Sequence, residues 1–160
     1  NRDATPANLG NLPGAEKIVV ADDLPEDLPE KYDLVVTVEC PQLERSGFEG
    51  LTRLPILNID HHPDNPAYGV VNYLDEASPA VGEMVWSMYA DAGLLPTPEA
   101  ATNLFVALST DTGAFRYSNA TIEAVSAMVA NHIVIYPVDG LLKQFTGRKI
   151  CGLLAGGTDQ

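Results

Sequence analysis

The sequence predicts an α/β fold: a mainly parallel sheet flanked by helices, in one domain. Three observations predict it. Short, nearly continuous apolar runs rich in β-branched residues fall within the first sixty residues, as in strands covered on both faces. From Asp75 onward the apolar residues recur with a helical period instead. The chain has 160 residues with 46% hydrophobic content, enough for one core and too apolar for a disordered chain.

The elements follow in order. Residues 1–15, rich in Asn, Pro, Ala and Gly, read as a lead-in loop. Lys17 to Ala21 reads as a short strand ending at Asp22 and Asp23, and the polar stretch to Lys31, with two prolines, as a loop or poor helix. Tyr32 to Glu39 is the clearest strand, and its apolar character predicts cover on both faces. Cys40 to Leu54 has room for a turn and one short helix, and Pro55 to Asp60 is the next strand. Ser78 and Pro79 read as the N-cap and first-turn proline of a helix with the stripe Val81, Met84, Val85 and Met88, ended by Gly93. Thr97-Pro98-Glu99 repeats the start signal before the stripe Ala101, Leu104, Phe105 and Leu108. A third helix is expected over residues 121–131, with Ile122, Val125, Met128 and Val129 inward. The glycine-rich residues 151–160 read as a linker or frayed tail, which leaves 1–150 as the domain.

Charge narrows the function classes. Twenty-two acidic side chains against nine basic ones give a formal net charge of -13. That excludes a protein gripping long duplex nucleic acid through a basic surface. It leaves small anionic substrates open, provided positive charge is supplied from outside the chain. No apolar run approaches the roughly 20 residues of a membrane span, and no secretory signal is evident. Cys40 and Cys151 make neither a disulfide framework nor a zinc knuckle and suit a reducing cytosol. A cytoplasmic protein without a membrane partner is the expectation.

Two of the apolar strands end in residues that ligate metals. The first ends at Glu39, the second at Asp60-His61-His62. In open parallel sheets, ligands bind beyond the carboxyl ends of the strands, so these side chains can converge on one crevice. Carboxylates with neutral imidazoles suit divalent Mn, Fe or Zn. A third segment, Ser109 to Arg116, ends a helix and turns at Gly113. Asp111 there sits where the helix macrodipole disfavours an anion, and a nearby cation would offset that cost. Arg116 offers a planar fork suited to phosphate. Taken singly, each residue has an ordinary reading: Glu39 and the two histidines as solvated surface, Asp111 as a turn residue, Arg116 as a surface cation. Asp22 and Asp23 fit a solvated loop, and His132 a structural residue near a helix end. The joint occurrence at strand ends is what points to a site.

Those segments carry a family resemblance. Asn58-Ile-Asp60-His61-His62 after an apolar strand, preceded by Tyr32 to Gly47 and followed by Ser109 to Asn119, resembles the second to fourth motifs of the DHH phosphoesterases. Within that family the chain is most similar to the nanoRNase type, bifunctional oligoribonuclease and pAp phosphatase proteins, and Asn8 to Glu16 resembles the stretch after their first motif. The resemblance covers roughly residues 1 to 135. It implies a metal-dependent hydrolysis of short oligoribonucleotides or of 3'-phosphoadenosine 5'-phosphate (pAp), with two metals, usually Mn2+. By resemblance, Glu39 takes the bridging position, and His61 and Asp111 ligate one metal. His62 contacts the substrate phosphate, Asp60 orients its neighbours, and Arg116 is a candidate substrate contact. A homodimer is compatible with the resemblance.

The chain departs from the family in two ways. The bridging residue is normally Asp, where this chain has Glu39. The first motif, a His followed by Pro-Asp-x-Asp, has no match before Glu39, and the second domain with its Gly-Gly-Gly-His motif is also missing. The expectation is a DHH domain lacking its start, weak or inactive alone. Rival readings are a cyclic dinucleotide phosphodiesterase, a manganese pyrophosphatase, or an inactive DHH-like binding module.

Overall fold

The computed structural model describes residues 1–117. The expected third helix, His132, Cys151 and the 151–160 tail lie outside the described residues. Three strands, β1 (Val35–Val38), β2 (Ile56–Asp60) and β3 (Val71–Leu74), form one parallel sheet in the order β1-β2-β3. A four-residue helix α1 (Leu28–Lys31) precedes the sheet; helices α2 (Val81–Asp91) and α3 (Pro98–Asp111) follow it. The expected α/β fold with a parallel sheet is therefore observed.

Register gives the sheet two chemically different faces. Side chains alternate across a strand. One face carries Leu57, Ile59 and Tyr73, which pack with Val81, Met84 and Val85 of α2. On the other face Thr37, Asn58 and Asn72 are neighbours across all three strands. Asn58 at the centre of that row is fully buried and hydrogen-bonds within the protein, as a buried amide must. Val36 and Val38, on the same face as Leu57 and Ile59, are nevertheless 51% and 49% exposed. The expectation of a first strand covered on both faces is corrected accordingly. Nothing among the described residues pairs with the outer edge of β1.

The two long helices hold each other closely. A Cβ on Gly82 would lie 2.7 Å from the Leu104 carbonyl oxygen and 3.0 Å from Ala107 Cβ, so only glycine lets α2 approach α3 at this point. Ala80 and Leu108, both wholly buried, pack with Trp86, Leu104, Phe105 and Phe115. The lead-in loop also joins this layer: Leu9 and Leu12 pack on Val106, and Asn103 donates to the Pro13 carbonyl at 3.0 Å. Thr97 caps α3 as expected, its Oγ1 accepting the Ala100 N–H at 3.2 Å.

Other expectations shift. Lys17 to Ala21 is no strand: Ala15–Lys17 is a 3-10 turn, and beyond it only the Val19 carbonyl and the Ala21 N–H find backbone partners, both on Asn1, with Val19 72% exposed. Residues 40–54 hold two 3-10 turns, Leu43–Ser46 and Leu51–Arg53. α2 begins after Ala80, not Ser78, because Ala80 stays fully extended and the Ser78 carbonyl is used elsewhere. Met88 lies at the exposed end of its stripe. β3 was not anticipated, being a short, half-exposed strand.

Candidate metal centre

The carboxyl ends of β1 and β2 lie side by side, and the crevice beyond them collects the predicted residues. Glu39 leaves β1 with a left-handed backbone (φ 56°), a conformation that costs a non-glycine residue energy and turns the chain sharply at the strand end. Its N–H still bonds to the Ile59 carbonyl at 3.2 Å. Tyr68 secures the next peptide: its hydroxyl donates to the Cys40 carbonyl at 2.7 Å and lies 2.9 Å from Thr37 Oγ1. Burial, outweighing the opposing hydrogen bond with Thr37, pushes that phenol up to about 12, so it stays a donor.

Glu39, His61 and His62 each bring one ligand atom within 4.8 Å of the others. The two histidines are oriented by separate partners. His61 Nδ1 is 2.9 Å from the Ser78 carbonyl, which can only accept, so Nδ1 carries the proton. A neutral His61 then turns its Nε2 lone pair toward Glu39 Oε1 at 3.4 Å. Two lone pairs face each other there, which is repulsive unless a positive charge, a proton or a metal ion, lies between. Two ligand atoms each about 2.1 Å from a tetrahedral ion are about 3.4 Å apart, so the spacing suits a shared divalent cation. The oxygen-and-imidazole donor set suits Mn, Fe or Zn alike.

His62 is held differently. Its Nδ1 is 2.8 Å from Asp60 Oδ1, and Asp60 is wholly buried at the end of β2. Burial opposes the Asp60 charge and is the largest influence on it. Hydrogen bonds from Asn65 and His62 outweigh it, so the carboxyl is held below its ordinary value. The bond to Asp60 in turn raises His62 above the ordinary imidazole value, against a smaller opposing effect of burial. Its Nε2 is the nitrogen that the Asp60 bond leaves available.

Asp111 is the last residue of α3, as expected. It lies outside the 4.8 Å group, yet it feels the charges of Glu39, His61 and His62. Desolvation, then the Glu39 carboxylate, raise its carboxyl, while the two histidines pull it down. Beyond it the backbone is left-handed at Gly113, Ala114 and Phe115, a turn held by wholly buried Thr112, whose Oγ1 donates to the Leu108 carbonyl and accepts the Phe115 N–H. Arg116 is exposed, and no described side chain pairs with its guanidinium. The structure thus gathers Glu39, His61 and His62, sets Asp60 behind them and Asp111 beside them, and leaves Arg116 at the margin. Sequence reasoning passed over Asn65 and Tyr68. Their signal was weak, since both lie in a loop and act through the folded neighbours they meet.

Fold and site define a parallel α/β protein with a carboxylate and two imidazoles converging at its strand ends. Comparison with known proteins narrows this class. The chain is 37% identical over 70 residues to the bifunctional oligoribonuclease and PAP phosphatase NrnA of Thermus thermophilus, covering 44% of this chain and 22% of that protein. It is 28% identical over 115 residues to NrnA of Bacillus subtilis, covering 68% and 36%. With the probable NrnA of Streptococcus mutans it shares 29% over 84 residues, covering 52% and 26%. The chain therefore spans between 22% and 36% of the length of these curated relatives. Among solved structures it is similar to an exopolyphosphatase-related protein of Bacteroides fragilis, with a TM-score of 0.69 at 18% identity over 94% of this chain and 48% of that one, which speaks for the fold. No protein-family model matches the chain. The chain is related in sequence to the NrnA proteins, in agreement with the DHH-type resemblance of its motifs.

Proposed function

We propose that the chain carries part of the active site of a divalent-metal-dependent phosphoesterase acting on short oligoribonucleotides or pAp. The observation that carries this reading is the His61 Nε2 to Glu39 Oε1 approach of 3.4 Å, with His61 Nδ1 already committed to Ser78. Glu39 and His61 would hold the cation, and Asp111, which feels the charge of both, is proposed as a further ligand on the resemblance. Mn2+ is the foremost candidate on the resemblance. The chemistry that such a cation supplies when bound is neutralisation of phosphate charge and a lowered pKa for water.

The chain's own residues do the rest. His62, raised by its pairing with Asp60, offers Nε2 as a cationic donor for a phosphate oxygen. Asp60 holds that ring in place and takes no direct part. In hydrolysis of pAp, the water oxygen bonds to the 3' phosphorus, the phosphorus–ribose oxygen bond breaks, and the ribose oxygen takes up a proton, giving AMP and phosphate. Short substrates suit an acidic chain, because no long polyanion must be wrapped. The names of the relatives favour this substrate class over cyclic dinucleotides or pyrophosphate.

Among the described residues no helix is long and apolar enough to cross a membrane, which accords with a proposed cytoplasmic location. Homodimerisation is proposed on the resemblance alone, and sedimentation would check it. Calorimetric titration with Mn2+ and an assay of pAp and a ribodinucleotide in Mn2+ test the function. Binding with slow release of phosphate or mononucleotide is expected; the absence of both Mn2+ binding and hydrolysis would sink the reading.

A further inference from the structure

We infer that Asn65 is a positioning residue for His62, acting through Asp60. The loop between β2 and β3, residues 61–70, carries both histidines and lies against the polar face of the sheet. Its hydrogen bonds have only one consistent direction. The Ala67 backbone N–H can only donate, and it points at one atom of the Asn65 amide at 2.9 Å. That atom is therefore the oxygen, and the NH2 end faces Asp60 Oδ2 at 2.7 Å. The same logic fixes Asn72, whose oxygen accepts the Gly69 N–H at 2.9 Å. Buried Asn58 must then turn its NH2 toward both amide oxygens, 2.9 Å from Asn65 and 3.2 Å from Asn72.

The relay is anchored on backbone at Ala67 and Gly69, and it reaches the crevice through Asp60. Gly69 itself cannot shift to accommodate a side chain: a Cβ there would lie 2.7 Å from the Val71 carbonyl and 2.8 Å from that of Ile56. With Oδ2 held by Asn65, the Asp60 carboxylate cannot turn about its Cβ–Cγ bond, and Oδ1 stays on His62 Nδ1 at 2.8 Å. That fixes the plane of the ring, keeps the proton on Nδ1, and leaves Nε2 available. His61 is oriented by Ser78 and does not depend on the relay, so it serves as an internal control.

The chemical meaning of this inference rests on the proposed function, whereas its readout needs neither metal nor substrate. Long-range proton–nitrogen NMR of the metal-free full chain, at an alkaline pH where the rings are neutral, reads each tautomer directly. The unaltered chain should show His61 and His62 as the Nδ1–H form. In Asn65→Ala, His62 should become a mixture of Nδ1–H and Nε2–H forms while His61 is unchanged. Where that variant does not fold, Asn65→Asp reads the same contact, because it keeps the oxygen needed by Ala67 and Asn58 and replaces the NH2 facing Asp60 and Asn58 Oδ1 by a carboxylate oxygen that repels Asp60 at alkaline pH. An Nε2–H form of His62 in the unaltered chain, or an unchanged His62 in either folded variant, overturns the inference. Failure of the unaltered chain to bind Mn2+ would instead count against the metal reading and leave the tautomer result standing.

Discussion

Glu39 Oε1 accepts the Val81 N–H at 3.2 Å, so the carboxylate that ends β1 also caps the first turn of α2. The 11-residue helix leaves its first N–H groups without partners inside the helix and carries partial positive charge at this end. Glu39 satisfies one of them. The same oxygen lies 3.4 Å from His61 Nε2, so sheet, helix and imidazole meet at one atom.

Glu39→Gln keeps an acceptor for Val81 but removes the charge. The expected result is a folded chain that loses about 0.3–1 kcal/mol of stability from the helix end. Its Mn2+ affinity should fall by at least the ~10–100-fold typical of losing a residue that merely supports a metal site. Thermal melts and calorimetry check both, and an unchanged affinity removes Glu39 from the ligand set.

The Asp60–His62 pair should shape stability against pH in metal-free buffer. Asp60 is lowered in the fold, so its contribution is present above 3.8 and lost as pH falls through the folded value. His62 is raised, so its contribution is complete below 6.5 and lost as pH rises through the folded value. Stability from the pair is therefore greatest between those limits. His62→Ala should flatten the alkaline side of the profile in urea titrations at several pH values; an unaltered slope there would contradict the pairing.

Asp111 shows the opposite sign. Its carboxyl is raised in the fold, so the folded state binds the proton more tightly, and stability falls as pH rises from 3.8 through the folded value. Asp111→Asn should raise the melting temperature at pH 7 and leave it nearly unchanged at pH 3. The same variant should weaken Mn2+ binding. A melting temperature that does not rise at pH 7 would show that Glu39 and desolvation do not burden this residue.

Gly82→Ala tests the packing that sets α2 against α3. The added methyl meets the Leu104 carbonyl at 2.7 Å, so the helices must separate. A loss of about 1–3 kcal/mol is expected from overpacking of this kind, despite the better helix propensity of alanine. Chemical denaturation measures it, and a neutral or stabilising result would mean that the helices are less tightly apposed.

Much of the site was legible because its residues end strands that announce themselves. The apolar runs before Glu39 and Asp60 place both at carboxyl ends, and the stripe from Ala101 to Leu108 leads to Asp111. The rest depends on register. Thr37, Asn58 and Asn72 are 14 to 35 positions apart and become neighbours only when three strands pair. Nothing local marks Asn65 as the partner of Asp60, or Tyr68 as the clamp on Cys40. The Lys17 to Ala21 run shows the converse: its backbone meets only Asn1, too short a partner to make a strand of β-branched residues.

The outer edge of β1 has a kinetic consequence. The N–H groups of Val35 and Glu39 bond inward to Pro55 and Ile59, so in a parallel ladder those of Val36 and Val38 point away from the sheet. In the chain as described, these two amides should exchange with deuterated water far faster than their neighbours at 35 and 39. The edge carries valines and neither lysine nor proline, the residues that usually discourage a visiting strand. Concentrated solutions should therefore slow the exchange of Val36 and Val38 specifically, as one molecule's edge begins to shield another's.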